Sequence, residues 1–105
     1  MGMKKTLLIV EDNLILCDIL KRWLQKANYG VLTALDEPSA RRKIKENDVA
    51  LVLTDVRLPE GDGISLLEWC ISQGLHIPFV VMTEYATIAD AVHAVKLGAK
   101  DYLPT

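Results

Sequence analysis

The sequence is short of several residue types, and each shortage excludes a class of protein. It has 105 residues with two cysteines, Cys17 and Cys70, whose distant positions predict buried free thiols and favour a reducing cytoplasm. Twelve basic residues against fourteen acidic ones give a net charge of −2, which indicates neither nucleic-acid nor membrane binding. No apolar run approaches the length of a membrane span, and no signal peptide is visible.

What remains is the composition of a globular domain, half apolar and one quarter charged. The length predicts one domain over residues 1–105 with a single core. Met1 and Gly2 fit a loose myristoylation pattern, but a strand predicted from Thr6 and the second methionine at Met3 favour a leader preceding the native start.

Short apolar runs alternate with helical patterns along the chain. The predicted strands are TLLIV (6–10), GVLTA (30–34), ALVLT (50–54), FVVMT (79–83) and KDYL (100–103). The predicted helices are one with an apolar face at Leu16, Ile19, Leu20, Trp23, Leu24 and Ala27, one over 38–46, one over 64–73, and one lined by Ile88, Ala91, Val92 and Val95. This alternation predicts an α/β fold with a parallel sheet and right-handed crossovers.

Acidic side chains follow two of the predicted strands. The first strand is followed by Glu11 and Asp12, the third by Asp55, and the fourth ends in Thr83. Loops at the carboxyl ends of parallel strands form the ligand crevice, so neighbouring strands would bring the carboxylates into one pocket. A hard cation such as Mg²⁺ would offset their charge and leave coordination positions for phosphate, which makes Asp55 a candidate phosphoryl acceptor.

Each of these residues also has an ordinary structural interpretation. Asp12 could be the N-cap of the first helix, Asp55 a loop aspartate, and Thr83 a strand-end hydroxyl that bonds to backbone. Their occurrence together at the ends of three strands favours a shared site.

The chain resembles the receiver domain of bacterial two-component response regulators, closest to the nitrogen-regulator, enhancer-binding type. The matching stretches, in order, are LLIVEDN (7–13), LVLTDVRLPEGDGI (51–64), FVVMTEYAT (79–87) and KLGAKDYLP (96–104).

The resemblance implies a flavodoxin-like doubly wound sheet of five strands in the order 2-1-3-4-5. It implies that Asp55 accepts a phosphoryl group from a sensor histidine kinase, and that Mg²⁺ is held by Glu11, Asp12, Asp55 and the backbone carbonyl of Arg57. It also implies that Thr83 binds the phosphoryl group and that Tyr102 is an aromatic switch. The domain would control an output domain of the full-length protein, such as one for transcription, without itself binding nucleic acid or membrane.

Two positions depart from the family pattern. Glu11 stands where aspartate is frequent, although both residues occur. Thr105 stands where the family carries a lysine that contacts the phosphoryl group, and the fifth helix of the family would follow it. Without that helix, we expect a homodimer through the fourth helix and the fifth strand.

Three functions are therefore compared. The first is a phosphorylation-controlled signalling domain, which is not a classical enzyme beyond Mg²⁺-dependent self-phosphorylation and dephosphorylation. The second is a receiver-like interaction module that does not respond to phosphate, because Thr105 replaces the lysine. The third is a Mg²⁺-dependent phosphohydrolase, which is disfavoured because Arg57 occupies the place of its usual second acid.

Overall fold

A computed structural model of the chain describes residues 4–83 and 101–104, with side chains for residues 4–82. Its centre is a five-stranded parallel sheet in the order β2-β1-β3-β4-β5. The strands are β1 (Thr6–Val10), β2 (Gly30–Ala34), β3 (Leu51–Asp55), β4 (Phe79–Thr83) and β5 (Asp101–Pro104). The predicted strand order is thus confirmed. β3 ends one residue later than predicted, so Asp55 is its last residue.

Three helices are described, α1 (Leu14–Lys26), α2 (Glu37–Glu46) and α3 (Gly63–Ser72). Each begins after an N-cap side chain that accepts a hydrogen bond from the first turn, namely Asn13, Asp36 and Asp62. Pro38 lies in the first turn of α2, as predicted. The predicted fourth helix lies outside the described residues. No helix among residues 4–83 and 101–104 is long and apolar enough to cross a membrane.

The core forms around the two central strands. Residues 7–10 of β1 are all buried, because helices cover a doubly wound sheet on both faces. The largest fully buried side chains include Leu8, Ile9, Val52 and Phe79. Cys17 and Cys70 are buried free thiols, as predicted, and burial raises the pKa of Cys70 to about 11.

The apolar face predicted for α1 is only partly correct. Cys17 is its one buried residue, and Leu16, Leu20 and Leu24 are half-buried. Ile19 is 42% exposed and Trp23 68% exposed, and Ala27 is also exposed. The helix packs on β1 and β2 through fewer residues than its apolar face contains. The spacing of apolar residues in the sequence therefore overestimated how much of the helix is buried.

Candidate functional site

Three carboxylates meet at the carboxyl edge of the two central strands. Val10 of β1 lies beside Thr54 of β3 in the sheet, so both strands end at the same level. Glu11 and Asp12 follow β1, and Asp55 is the last residue of β3. One carboxylate oxygen from each of these three side chains lies within 4.8 Å of the other two. The three carboxylates therefore lie close together, as the sequence predicts.

Glu11 is the buried member of the cluster, at 3% exposure. Its backbone N–H donates to the carbonyl of Ala34 at 3.0 Å, and its Oε1 accepts from the N–H of Asn13 at 2.9 Å. The pKa of Glu11 is raised from 4.5 to about 7, chiefly by burial and also by the charge of Asp55, against the opposing effect of the Asn13 hydrogen bond. The site thus resists carrying all its negative charges without a cation.

Asp12 is not the cap of the first helix. That function belongs to Asn13, whose Oδ1 accepts from the N–H groups of Ile15 and Leu16 at 3.1 Å each. The interpretation of Asp12 as a simple N-cap is therefore wrong. An N-cap at Asp12 would require the helix to begin at residue 13, but α1 begins at Leu14. Asp12 is exposed, and its carboxylate belongs to the acidic cluster.

The backbone around Asp55 is held closely. Thr54 is fully buried, and its hydroxyl donates to the carbonyl of Asp55 at 2.9 Å. A Cβ atom on Gly63 would lie 2.2 Å from that same carbonyl oxygen, so only glycine permits this approach. The side chain of Asp55 is half-buried, and its Oδ1 accepts from the N–H of Arg57 at 3.3 Å. Asp55 is therefore a fixed strand-end residue rather than an ordinary loop aspartate.

The segment from Val56 to Asp62, here called the β3–α3 loop, folds back on itself. Arg57 and Asp62 form an antiparallel bridge, and the N–H of Gly63 donates to the carbonyl of Val56 at 2.8 Å. Arg57 is thereby placed directly beside the acidic cluster with a defined backbone.

The two expected switch residues lie on neighbouring strands. In the register of β4 and β5, Thr83 pairs with Pro104 and Tyr102 pairs with Val81. The adjacency predicted from the sequence is confirmed for the backbone. The side chains of both residues, and the whole of Thr105, lie outside what the structure describes.

A family comparison accounts for this arrangement. The model of the family described as "Response regulator receiver domain" matches residues 7–104. The chain belongs to the response regulator receiver family. The receiver fold and its place in two-component signalling, expected from the sequence, are confirmed.

Individual relatives agree with this assignment. The receiver is 38% identical over 97 residues to the transcriptional regulatory protein ZraR of Escherichia coli, covering 92% of this chain and 22% of that protein. It superposes on the non-phosphorylated HemR receiver domain of Leptospira biflexa with a TM-score of 0.91 and 31% identity, covering 97% of this chain and 82% of that one.

A third relative is a response regulator protein of Burkholderia pseudomallei, described with a phosphorylated aspartic acid, calcium ion and citrate. Its TM-score is 0.87 at 32% identity, covering 97% of this chain and 60% of that one. The receiver spans about one fifth of the length of the ZraR proteins that it matches.

The acidic cluster fits the divalent cation that receivers bind in general. Its donors are carboxylate oxygens, the ligand type that Mg²⁺ prefers, and they come from two rigid strand ends. The raised pKa of Glu11 reflects, in part, a negative charge that a cation would neutralise.

Proposed function

We propose that this receiver is the phosphoacceptor domain of a response regulator, with Asp55 accepting a phosphoryl group from a phosphohistidine of a sensor kinase. The observation that carries the proposal is the close cluster of Glu11, Asp12 and Asp55 at the end of the central strands. The phosphorylated aspartic acid described for the Burkholderia pseudomallei relative adds support.

In the proposed reaction, a carboxylate oxygen of Asp55 attacks the phosphorus atom, and the phosphorus–nitrogen bond of the phosphohistidine breaks. The leaving imidazole takes a proton from solvent, and an acyl phosphate remains on Asp55. Such transfers depend mainly on positioning and charge neutralisation. The hydroxyl of Thr54 and the close approach of Gly63 support that positioning, because both hold the backbone of Asp55.

We assign the metal site to the carboxylates of Glu11, Asp12 and Asp55 and to the backbone carbonyl of Arg57. Mg²⁺ bound there would neutralise charge on the phosphoryl oxygens. Asp12 is exposed and available for direct coordination, whereas Glu11 already accepts a hydrogen bond from Asn13. We therefore propose that Glu11 acts through a bound water.

The response to phosphorylation is assigned to Thr83 and Tyr102. The hydroxyl of Thr83 would bind the phosphoryl group, and Tyr102 would turn inward as Thr83 moves. The pairing of β4 with β5 supports this coupling, because it gives the two residues a shared two-strand unit.

The partners follow from the family. We propose a sensor histidine kinase as donor and an output domain in the full-length protein, in a cytoplasmic setting. Because ZraR is named a transcriptional regulatory protein, transcription is the proposed output.

The deciding experiment is intact-mass measurement after treatment with a small phosphodonor and Mg²⁺. The parent chain is expected to gain one phosphoryl group, and Asp55→Asn none. Asp62→Asn is the matched control, because asparagine can still cap α3 while one nearby acid is removed. A mass gain that persists in Asp55→Asn would show that another residue is the acceptor.

One alternative keeps a specific observation in its favour. Thr105 stands where the family carries a phosphoryl-contacting lysine, which favours an interaction module that does not respond to phosphate. That function predicts a phosphoryl gain on Asp55 without any change in the chemical shifts of Tyr102. The phosphohydrolase has no such support, since residue 57 is arginine rather than a second acid.

A further inference from the structure

A buried acidic residue outside the carboxylate cluster contacts the loop that follows Asp55. Glu37, the first residue of α2, is 5% exposed. Its backbone N–H donates to the carbonyl of Glu60 at 3.1 Å, and its Oε1 accepts from the N–H of Asp62 at 3.0 Å. Two hydrogen bonds from one residue thus hold both sides of Gly61.

The fit between Glu37 and Gly61 is close. Gly61 has φ of +81°, and a Cβ atom there would lie 2.2 Å from Oε1 of Glu37 and 2.7 Å from its Cβ. The turn therefore uses a glycine both for its left-handed backbone and for the space that the Glu37 side chain occupies.

The carboxylate of Glu37 is itself oriented from the other side. Its Oε2 accepts from Nε of Arg41 at 2.9 Å and also from Nη2 of the same guanidinium. The guanidinium carbon of Arg41 lies 5.2 Å from the ring centre of Trp69 in α3, a cation–π distance. One carboxylate oxygen of Glu37 is thus hydrogen-bonded to Arg41 and the other to the loop. Together with the contact between Arg41 and Trp69, these hydrogen bonds connect α2 and α3 to the loop.

This contact leads directly to the proposed metal site. Asp62, whose N–H is held by Glu37, is the bridge partner of Arg57. Arg57 in turn donates its N–H to Asp55. Holding the far side of the loop therefore restricts the backbone whose Arg57 carbonyl is assigned to Mg²⁺.

We propose that Glu37 is a positioning residue for the phosphoacceptor site, because its hydrogen bonds hold the β3–α3 loop in the conformation that presents the Arg57 carbonyl beside Asp55. The inference rests on the proposed function for its metal and phosphoryl consequences. Its structural basis, the hydrogen bonds of Glu37 with Glu60 and Asp62, is independent of that function.

The test compares Glu37→Ala with the double variant Glu37→Gln/Arg41→Met. Alanine removes the acceptor for the Asp62 N–H. In the double variant, the glutamine oxygen can still accept from Asp62, and no guanidinium competes for it. Ile44→Ala is the control, because it deletes a buried side chain at the other end of α2 and destabilises the fold away from the loop.

Hydrogen exchange of the Asp62 amide and calorimetric titration with Mg²⁺ are measured for all four proteins under conditions where each is folded. In Glu37→Ala, we expect exchange at Asp62 to accelerate and Mg²⁺ affinity to fall, each by about tenfold, as for the loss of one charge-assisted hydrogen bond. The double variant and Ile44→Ala are expected to stay close to the parent in both.

Four results would overturn the proposal: unchanged Asp62 exchange in Glu37→Ala, unchanged Mg²⁺ affinity in Glu37→Ala, equal losses in Ile44→Ala, or equal losses in the double variant. The mass gain of the parent with phosphodonor is recorded separately. A parent that binds Mg²⁺ but gains no phosphoryl group would refute the proposed function, while exchange and titration would still decide the role of Glu37.

Discussion

Glu11 combines a carboxyl group with a position that opposes its ionisation. Its pKa is raised from 4.5 to about 7, first by burial and then by the negative charge of Asp55. The folded protein therefore binds the carboxyl proton of Glu11 more tightly than the unfolded chain does. Its stabilising contribution is complete below pH 4.5 and is lost as the pH rises through about 7.

This gives a prediction for stability in metal-free buffer. Between pH 4.5 and pH 7, the Glu11 contribution to the free energy of unfolding should fall by about 3 kcal/mol, since one pKa unit is about 1.4 kcal/mol. Glu11→Gln, which cannot ionise, should remove that part of the pH dependence. Denaturant unfolding at several pH values with a chelator present measures it, and identical pH profiles for the two proteins would contradict the assignment.

The neighbouring residues Asp12 and Glu11 should differ in their importance for metal binding. Asp12 is exposed and free of the capping function, whereas Glu11 is buried and accepts from Asn13. We expect Asp12→Ala to weaken Mg²⁺ binding by about tenfold more than Glu11→Ala, a difference of about 1.4 kcal/mol. Calorimetric titration measures both, and equal losses would contradict the ranking.

At the scale of helices and loops, the β3–α3 loop requires glycine at position 61, because the side chain of Glu37 in α2 occupies the space that a Cβ atom would need. Gly61→Ala would place a methyl group 2.2 Å from the Glu37 carboxylate, at a φ of +81°. Gly74 offers a matched control, because its φ is +71° but nothing lies within 4 Å of an added Cβ. Both substitutions should cost about 1 kcal/mol for the backbone conformation.

Gly61→Ala should be more destabilising than Gly74→Ala by a further 1 to 3 kcal/mol, roughly the cost of overpacking. Adding Glu37→Ala should recover only part of that difference, because it removes Oε1 and Cδ of Glu37 but leaves its Cβ, which would lie 2.7 Å from the methyl group. Urea unfolding of the two single variants and the double variant provides the comparison. Equal effects at the two glycines would mean that the loop moves away from α2 without cost.

The sequence predicted the elements better than the contacts between them. Continuous apolar runs rich in Val, Ile and Leu identified β1, β3 and β4, because strands covered on both faces are apolar throughout, whereas β2 and β5 were predicted from the weaker patterns GVLTA and KDYL. The acidic cluster was also predictable, since parallel strands end at one edge. The failures concern local detail, such as the cap at Asn13 and the exposure of Ile19 and Trp23 in α1.

The contact of Glu37 with the loop could not be read from the sequence. Glu37 and Asp62 are 25 positions apart, and a glutamate beside a proline at the start of a helix has the pattern of an ordinary first-turn acid. Only the packing of α2 beside the loop reveals that its side chain is buried. The adjacent Gly61 was a signal, since a glycine in a loop can mark a close approach.

At the scale of the whole molecule, β5 is an edge strand. Within residues 4–83 and 101–104, it pairs with β4 alone, while β2 forms the opposite edge. An edge strand carries N–H and C=O groups that another strand can pair with, and a second copy can do so about a two-fold axis. We therefore predict a homodimer through β5 and the predicted fourth helix, whose residues lie outside the described part.

Size-exclusion chromatography with light scattering tests this assembly. Leu103→Lys in β5 should lower the measured mass to that of a monomer, because a lysine on an edge opposes strand pairing, whereas Val31→Lys in β2 should not change it. A phosphodonor should change the mass little, since Thr105 replaces the lysine that would contact the phosphoryl group. A folded monomer at high protein concentration would refute the dimer, and a large mass shift with phosphodonor would refute its independence from phosphate.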